Sequence, residues 1–288
     1  MPAMSEPSIS APLEETVVII GVGLIGGSLA AALRQRKLAR RVIGVGRDAG
    51  RLEQARTLGL IDLGLTDLAE AASMADVMVF CTPVDRVAEG VRIAAAHVHP
   101  GTLLTDAGSV KQPICEAVAD VTGFIGSHPI AGSHRQGMDA ANSELFDGRM
   151  CVLTPLPSSA ATQLQRLDRL WRSVGMRTVQ MSASDHDQAL AMTSHLPHLV
   201  ASALAGTLSP QNRLLTGTGF RDSTRIAAGD PELWCGILLQ NAEQVCAGIE
   251  VMRGRLDSFQ SALSAGDVAA IRQLLVEGKQ NRDSLENM

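Results

Sequence analysis

The sequence predicts an α/β protein, in which a doubly wound Rossmann-type parallel sheet is followed by an all-helical dimerisation domain. Two observations lead to this prediction. From residue 14 to residue 183, short apolar runs rich in β-branched residues alternate with helical patterns, as in parallel sheets that carry helices on both faces. From residue 184 onward the patterns are almost all helical, and no β-branched run occurs.

The predicted strands and helices of the first part follow one another closely. The strand TVVIIGVG precedes the helix IGGSLAAALRQRKL, which ends in a basic last turn, and RRVIGVG precedes AGRLEQARTLGL. The alternation continues through ADVMVFCTP, DRVAEGVRIAAAHV, GTLLTDAGSV, KQPICEAVADV, GFIGSHP, MCVLTP, AATQLQRLDRLWRSVG and RTVQMS. We therefore expect the parallel alternation to extend to about residue 183.

The chain divides into three predicted regions. Residues 1–13, rich in Pro and Ser, predict a disordered leader, and residues 14–183 a dinucleotide-binding domain. Residues 184–288 predict a helical domain for substrate binding and dimerisation. Its long amphipathic helices, such as PELWCGILLQNAEQVCAGIEVMRGRLDSFQSAL, have little domain of their own against which to pack. We therefore expect a homodimer.

Composition and charge exclude several classes of function. The formal net charge is −5 and Lys and Arg form no long run, so nucleic acid, whose binding depends on clustered cations, is not an expected partner. The uncharged run Val17–Leu33 is short for a membrane span and lacks the basic flank of a signal peptide, so we expect no membrane association. The five cysteines form no CxxC pair, which is typical of reduced thiols in a cytoplasmic protein.

A glycine-rich turn follows the first predicted strand and opens the first predicted helix. It reads Gly21-Val-Gly23-Leu24-Ile25-Gly26, a GxGxxG motif in the context that makes it informative. The first glycine permits a tight turn, the second lets the backbone approach a pyrophosphate, and the third lets helix and strand pack closely. We expect this segment to bind a dinucleotide at the helix N-terminus.

The end of the second predicted strand bears on the choice of cofactor. NAD enzymes offer an acidic residue at this tip, but here Gly46 is followed by Arg47, which leaves room for a 2′-phosphate and neutralises it. NADP is therefore favoured over NAD, although a shift of one residue would make Asp48 an acidic tip. Thr82 and Pro83, after a later strand, complete the predicted cofactor site.

Further motifs occur at predicted strand ends and in the helical region, and ligands bind at the carboxyl ends of strands in such folds. The motifs are CTPVD (81–85), TDAGSVK (105–111), GSHPIAG (126–132), SHLPH (194–198) and GFRDSTRIAAGDPELW (219–234). Together, in their order and spacing, they resemble the prephenate/arogenate dehydrogenase family of tyrosine biosynthesis, over roughly residues 16–288.

The resemblance implies an oxidative decarboxylation of arogenate, prephenate or both, which yields tyrosine or 4-hydroxyphenylpyruvate. In this family the ring loses hydride to the nicotinamide of NAD(P) and its carboxylate as carbon dioxide, and becomes a phenol. Such a reaction needs a base for the ring hydroxyl, for which histidine is suited, and cations for the carboxylates. Aromatisation supplies driving force, so no metal is expected.

The resemblance also assigns roles to individual residues. It implies that His128 is the base at the ring hydroxyl and that Ser109 bridges this hydroxyl and the nicotinamide, although a serine there could instead cap a helix. His195 would contact the substrate from the helical domain, with a buried structural histidine as the alternative. Arg225 would bind a carboxylate with its planar fork, and Trp234 would line the pocket or belong to the core.

One loop departs from the family pattern. Many members carry glutamate at the position of His134, so a carboxylate is missing there and His134 becomes a candidate specificity residue. Asp139, later in the loop, could pair with the amino group of arogenate, which favours arogenate slightly over prephenate. Arg135 could bind the side-chain carboxylate or face water.

Two other functions were compared with this one. A 3-hydroxyacid-type NAD(P) dehydrogenase would need a lysine in DQALAMTSHLPHLVASAL, which contains none. A non-catalytic NAD(P)-binding sensor is disfavoured, since the four residues assigned to chemistry and substrate binding are all present. A zinc site built from His186, His195 and His198 is also disfavoured, because it would need carboxylate or thiolate ligands at helical spacing.

Overall fold

The computed structural model describes residues 12–132 and 137–285. A five-stranded parallel sheet, in the order β3-β2-β1-β4-β5, forms the first part of the chain. Its strands are β1 (Glu14–Ile20), β2 (Ala39–Val45), β3 (Leu63–Leu65), β4 (Val77–Phe80) and β5 (Leu103–Asp106). The order reverses between β1 and β4, which creates the crevice where ligands of such sheets bind.

Helices cover both faces of this sheet, as the continuous apolar runs of the strands require. Alternate residues of β1 enter different cores: Val17 and Ile19 lie in one buried cluster, and Val18 and Ile20 in the other. The predicted α/β architecture is confirmed. The helices that follow the strands are α1 (Leu24–Gln35), α2 (Ala49–Thr57), α3 (Leu68–Ala72), α4 (Val84–Ala95) and α5 (Gln112–Ala117).

A second, three-stranded sheet follows: β6 (Gly126–Pro129), β7 (Met150–Thr154) and, after α6 (Ala161–Ser173), β8 (Arg177–Gln180). A bridge between Leu104 and Phe124 links its beginning to β5. The expected parallel alternation is wrong here, because β7 runs antiparallel to β6. A parallel neighbour needs a crossover connection, and the described residues between β6 and β7 hold only a 3₁₀ helix, Met138–Ala140.

The last part of the chain is helical, as predicted. A π-helical turn, Ala191–His195, interrupts the first helical pattern, and Asn241 separates two helices within the long pattern that contains Trp234. The described part of the chain contains no helix long and apolar enough to cross a membrane. The α-helices are α7 (Ala183–Leu190), α8 (Leu196–Gly206), α9 (Thr218–Thr224), α10 (Pro231–Gln240), α11 (Ala242–Ala265) and α12 (Val268–Ser284), with 3₁₀ helices at Pro210–Leu215 and Arg225–Ala228.

Candidate active site

The glycine turn between β1 and α1 has room for glycine alone at two positions. Gly21 has a φ of +92°, and a Cβ there would lie 2.9 Å from the Cys81 carbonyl oxygen. A Cβ on Gly26 would lie 2.2 Å from the Gly21 carbonyl oxygen, so the turn and the helix could not pack. A Cβ on Gly23 would meet no atom within 4 Å, and no side chain caps α1. The backbone is thus open to a phosphate at this helix N-terminus.

The residues after β2 have distinct tasks. β2 ends at Val45, and the side chain of Arg47 is exposed. The Asp48 carboxylate accepts hydrogen bonds from the backbone N–H of Gly50 and Arg51, at 2.8 and 3.1 Å, and so forms the N-cap of α2. The Asp48 carboxylate is therefore already used to cap α2.

The half-buried side chains of Leu24 and Ile25, in the first turn of α1, pack against the core of the sheet. Thr82 follows β4 beside the glycine turn, since its backbone N would lie 3.2 Å from a Cβ on Gly21. The Thr82 hydroxyl is buried and has no hydrogen-bond partner among the described residues. Buried hydroxyls are rarely left unpaired, so this one indicates a ligand. Pro83 then precedes α4.

His128, on β6, begins a buried chain of hydrogen bonds. Nδ1 of His128 lies 2.8 Å from Nε2 of His186. On the other side of the His186 ring, Nδ1 lies 2.7 Å from the Asp187 carboxylate. That carboxylate also accepts the backbone N–H groups of Lys111 and Gln112, both at 2.8 Å. The chain therefore runs from β6 through α7 to the first turn of α5.

The surroundings of His128 favour its neutral form. Burial lowers the pKa of His128 well below its ordinary value, and repulsion by His186, Lys111 and His195 lowers it further. An imidazole that stays unprotonated at neutral pH can accept a proton, which is the requirement for a general base.

A fully buried ion pair holds the strand of His128 against the loop after β5. The Lys111 ammonium donates to Asp106 and, at 3.0 Å, to the Ser127 carbonyl oxygen. The Asp106 carboxylate also accepts the backbone N–H of Ser127 at 3.1 Å and of Gly108 at 2.9 Å. These four contacts hold the loop after β5 beside β6.

Ser109 lies half-buried in that loop. The alternative in which it caps α5 is wrong, because the N-cap position belongs to Lys111 and the helix amides bond to Asp187. The Ser109 hydroxyl is thus not used for helix capping.

His195, in the π-helical turn, is almost completely buried, with 1% of its surface exposed. Its Nδ1 lies 3.1 Å from Nδ2 of Asn241, and its Nε2 has no partner among residues 12–132 and 137–285. Burial lowers the pKa of His195 to about 4. It is therefore neutral at physiological pH, and its buried Nε2 is a polar atom for which the described residues supply no partner.

Trp234 lies beside His195, with ring centroids 6.3 Å apart at an edge-on angle of 80°. The ring of His198 stacks on that of Trp234, with centroids 3.5 Å apart and an interplanar angle of 10°. Gly229 leaves the space for both rings, since a Cβ there would lie 2.6 Å from Trp234 Nε1. Trp234 is half-buried rather than part of the core. In the described ranges, no group of three or more His, Cys, Asp or Glu is arranged to hold a metal ion.

The remaining predicted residues are exposed or lie outside the described part of the chain. Arg225 is exposed, in a short 3₁₀ helix that packs against α8. The exposed Asp139 accepts a hydrogen bond from the Gln54 amide of α2 at 3.1 Å. His134 and Arg135 lie outside the described residues.

Sequence reasoning missed three members of this arrangement: Asp187 and Asn241, and His186 as a partner of His128. Their signal was weak but present, because Asp187 and His186 stand side by side in a helix that must bury one face. Two adjacent polar residues that are 0–1% exposed indicate a hydrogen-bonded task. Apart from the hydrogen bond between His186 and Asp187 themselves, their partners are 46 to 76 positions away in the chain, so no local pattern shows them.

Comparison with known proteins identifies the family of the chain. The family "Prephenate dehydrogenase, nucleotide-binding domain" matches residues 29–180, and "Prephenate dehydrogenase, dimerization domain" matches residues 182–277. The cyclohexadienyl dehydrogenase of Zymomonas mobilis is 31% identical over 281 residues, which cover 94% of this chain and 96% of the relative.

Two solved structures are similar over nearly the whole chain. Prephenate dehydrogenase from A. aeolicus, in complex with hydroxyphenyl propionate and NAD+, superposes with a TM-score of 0.89 at 31% identity, covering 97% of this chain and 100% of that one. Arogenate dehydrogenase from Synechocystis superposes with a TM-score of 0.82 at 32% identity, covering 94% of this chain and 99% of that one. On both the sequence and the structural similarity, the chain belongs to the prephenate dehydrogenase family of oxidoreductases.

Proposed function

We propose that this protein oxidatively decarboxylates arogenate, prephenate or both, with NADP as the preferred hydride acceptor. The observation that carries the proposal is the buried, neutral His128, held on β6 by its hydrogen bond to His186. A base in this state can take a hydroxyl proton while hydride leaves the same carbon.

Each proposed site residue has one task in this reaction. His128 accepts the ring hydroxyl proton, and Ser109 hydrogen-bonds to the same hydroxyl. His195 offers its unpartnered Nε2 to the substrate, beside the ring of Trp234. Arg225, whose guanidinium has no ion-pair partner in the described part of the chain, binds a carboxylate. When bound, NAD(P) supplies the hydride acceptor.

The preference for NADP rests on the loop after β2. The strand tip offers Gly46 and the exposed cation of Arg47, which suit a 2′-phosphate. Asp48, the acidic alternative, is engaged as the N-cap of α2. The cofactor site further comprises the glycine turn with Leu24 and Ile25, and Thr82 with Pro83.

The preference for arogenate rests on an acidic side chain. Asp139 lies in the loop that follows the HPIAG motif, and a carboxylate there can pair with the amino group that arogenate has and prephenate lacks. Its bond to Gln54 would be exchanged for the amine. His134 and Arg135, in the same loop, complete the proposed specificity region.

A homodimer is proposed from the helical part, for which we place the boundary near residue 184. Large apolar side chains there are exposed in the single chain: Leu214 at 96%, Leu239 at 76% and Leu263 at 64%. Exposed apolar surface on a single chain is typical of subunit interfaces, and the matched family domain is named for dimerisation. Sedimentation of the purified protein at twice the chain mass is the expected result.

The unpaired thiols of all five cysteines support a cytoplasmic location.

The test is a two-by-two assay of prephenate and arogenate against NAD and NADP, read as absorbance of the reduced cofactor. We expect the highest kcat/KM with arogenate and NADP. His128→Asn should lower kcat roughly 10²–10⁴-fold, the usual contribution of a general base, with unchanged cofactor affinity. Absence of turnover in all four combinations would refute the proposal, and a 3-hydroxyacid in the same assay tests the alternative enzyme class.

A further inference from the structure

We propose that Asp187 acts as a positioning residue that sets opposite tautomers on the two site histidines. Through His186 it makes Nε2 of His128 a proton acceptor, and through Asn241 it makes Nε2 of His195 a hydrogen-bond donor. The catalytic meaning of this arrangement rests on the proposed function. The hydrogen-bond assignment itself rests on geometry alone.

The Asp187 carboxylate determines the direction of the first chain. An ionised carboxylate can only accept, and this one already accepts two backbone N–H groups at the start of α5. Nδ1 of His186, at 2.7 Å, must therefore carry a hydrogen and donate it. In the neutral imidazole the other nitrogen, Nε2, is then an acceptor.

The direction passes on to His128. Because Nε2 of His186 accepts, Nδ1 of His128, at 2.8 Å, must be the nitrogen that carries the hydrogen. Nε2 of His128 is left with a free lone pair. This is the tautomer that a base needs, in the same way that a buried carboxylate orients the histidine of a hydrolase triad.

The same chain has a place for the proton after the reaction. When a substrate O–H bond breaks and its proton forms an N–H bond at Nε2 of His128, the Nδ1 proton can move to Nε2 of His186. The positive charge then lies on His186, next to the negative Asp187, and the ring of His128 is neutral again. Charge is conserved, and no group beyond these three is required.

Asn241 determines the direction at the second histidine. Its Nδ2 lies 2.8 Å from the backbone carbonyl oxygen of Asp187, which can only accept, so the orientation of the amide is settled. The second hydrogen of Nδ2 is directed at Nδ1 of His195, at 3.1 Å, which must accept it. Neutral His195 then carries its hydrogen on Nε2, the buried atom without a partner in the described ranges.

The two histidines are therefore complementary rather than equivalent. One presents a lone pair to the substrate and the other presents an N–H group, and both are connected to Asp187, by its side chain and by its backbone. A purely structural role for Asp187 would explain its bonds to α5, but it would not require His186 and Asn241 to have these directions.

The direct experiment is ¹⁵N NMR of the intact protein labelled at histidine, with no substrate added. The resonances of His128 and His195 are assigned by their loss in His128→Asn and His195→Asn. We expect His128 to be protonated at Nδ1 and His195 at Nε2. The opposite tautomer at either ring would overturn the proposal for that ring, and this result does not depend on whether the substrate is arogenate or prephenate.

A pair of variants at His186 tests the catalytic consequence. His186→Leu removes the acceptor, and we expect kcat to fall about 10²-fold with nearly unchanged KM, together with a mixture of tautomers at His128. His186→Gln keeps an acceptor oxygen and should retain kcat within about 10-fold of the wild type. Equal losses in the two variants, with an unchanged His128 tautomer, would show that His186 only fills space.

Asn241→Asp tests the hydrogen bonds that connect Asp187 through Asn241 to His195. A carboxylate can only accept, so Nδ1 of His195 must donate to it and Nε2 must lose its hydrogen. We expect the His195 resonances to report this reversal and KM for the substrate to rise about 10-fold. An unchanged His195 tautomer would overturn this part of the proposal, while a reversed tautomer with an unchanged KM would remove His195 from substrate binding and leave the hydrogen-bond assignment standing.

Discussion

Replacing Lys111 by Met should destabilise the protein through a charge that it leaves behind. The side chains of Lys111 and Asp106 are 0% exposed and pair with each other. Removal of one partner of such a pair costs about 3–5 kcal/mol, because the other charge stays buried. Asp106 keeps two backbone donors, from Gly108 and Ser127, so we expect the lower end, about 3 kcal/mol.

That loss is measurable in two ways. For 288 residues, an unfolding entropy of about 2.1 cal/mol/K per residue converts about 3 kcal/mol into a decrease in Tm of about 5 °C. Urea unfolding should show the same difference in the free energy of unfolding. Because Asp106 orients the loop of Ser109 against the strand of His128, kcat should fall as well.

The matched control is the double variant Asp106→Asn/Lys111→Met, which removes both charges. If the cost of the single variant is an unpaired charge, the double variant should be more stable than the sum of the two single effects by about 2 kcal/mol. Additivity within about 0.5 kcal/mol would refute the reasoning and show that Lys111 contributes only packing.

Two further predictions concern pH and the glycine turn. The pKa of His195 falls from 6.5 in the unfolded chain to about 4 in the folded protein, so the unfolded chain binds more protons between these values and the contribution of His195 to stability should fall by roughly 3 kcal/mol from pH 6.5 to pH 4. The lowered pKa of His128 acts in the same direction. Urea unfolding across this range measures the decrease, His195→Gln should make it smaller, and an equal decrease in the wild type and in His195→Gln would contradict the account. Gly26→Ala should cost about 1–3 kcal/mol and weaken NAD(P) binding, because its Cβ would lie 2.2 Å from the Gly21 carbonyl oxygen. Gly23→Ala, whose Cβ meets no protein atom within 4 Å, should weaken NAD(P) binding at unchanged stability. Equal losses of stability in the two variants, measured by calorimetry, would argue against this packing account.

Features encoded in short segments could be predicted from the sequence. The strand–helix alternation of the first sheet follows from the spacing of apolar residues, and the turn after β1 follows from its glycines. The position of His128 at a strand end was predictable for the same reason, since HPIAG directly follows an apolar run. The change to helical patterns near residue 184 was equally visible in the composition.

Features that depend on distant contacts could not be predicted. The direction of β7 is set by its pairing with β6 across a connection that has no α-helix among its described residues, and apolar alternation is the same in either direction. The first amides of α5 bond to Asp187 and not to Ser109, because the fold brings a carboxylate from 75 positions away in the chain to this end of the helix. Local sequence preference cannot compete with a partner that only the folded chain supplies.

The amino-acid sequence by itself determined the fold class, the cofactor turn and the candidates for chemistry, because each depends on residue types at short spacing. Only the tertiary structure decided what those candidates can do. The motifs around His128 and His195 imply different roles for the two rings, but no local pattern shows which ring nitrogen of each carries the hydrogen. Asp187 separates them, since the directions of its hydrogen bonds, passed through His186 and Asn241, determine which ring accepts a proton and which donates one.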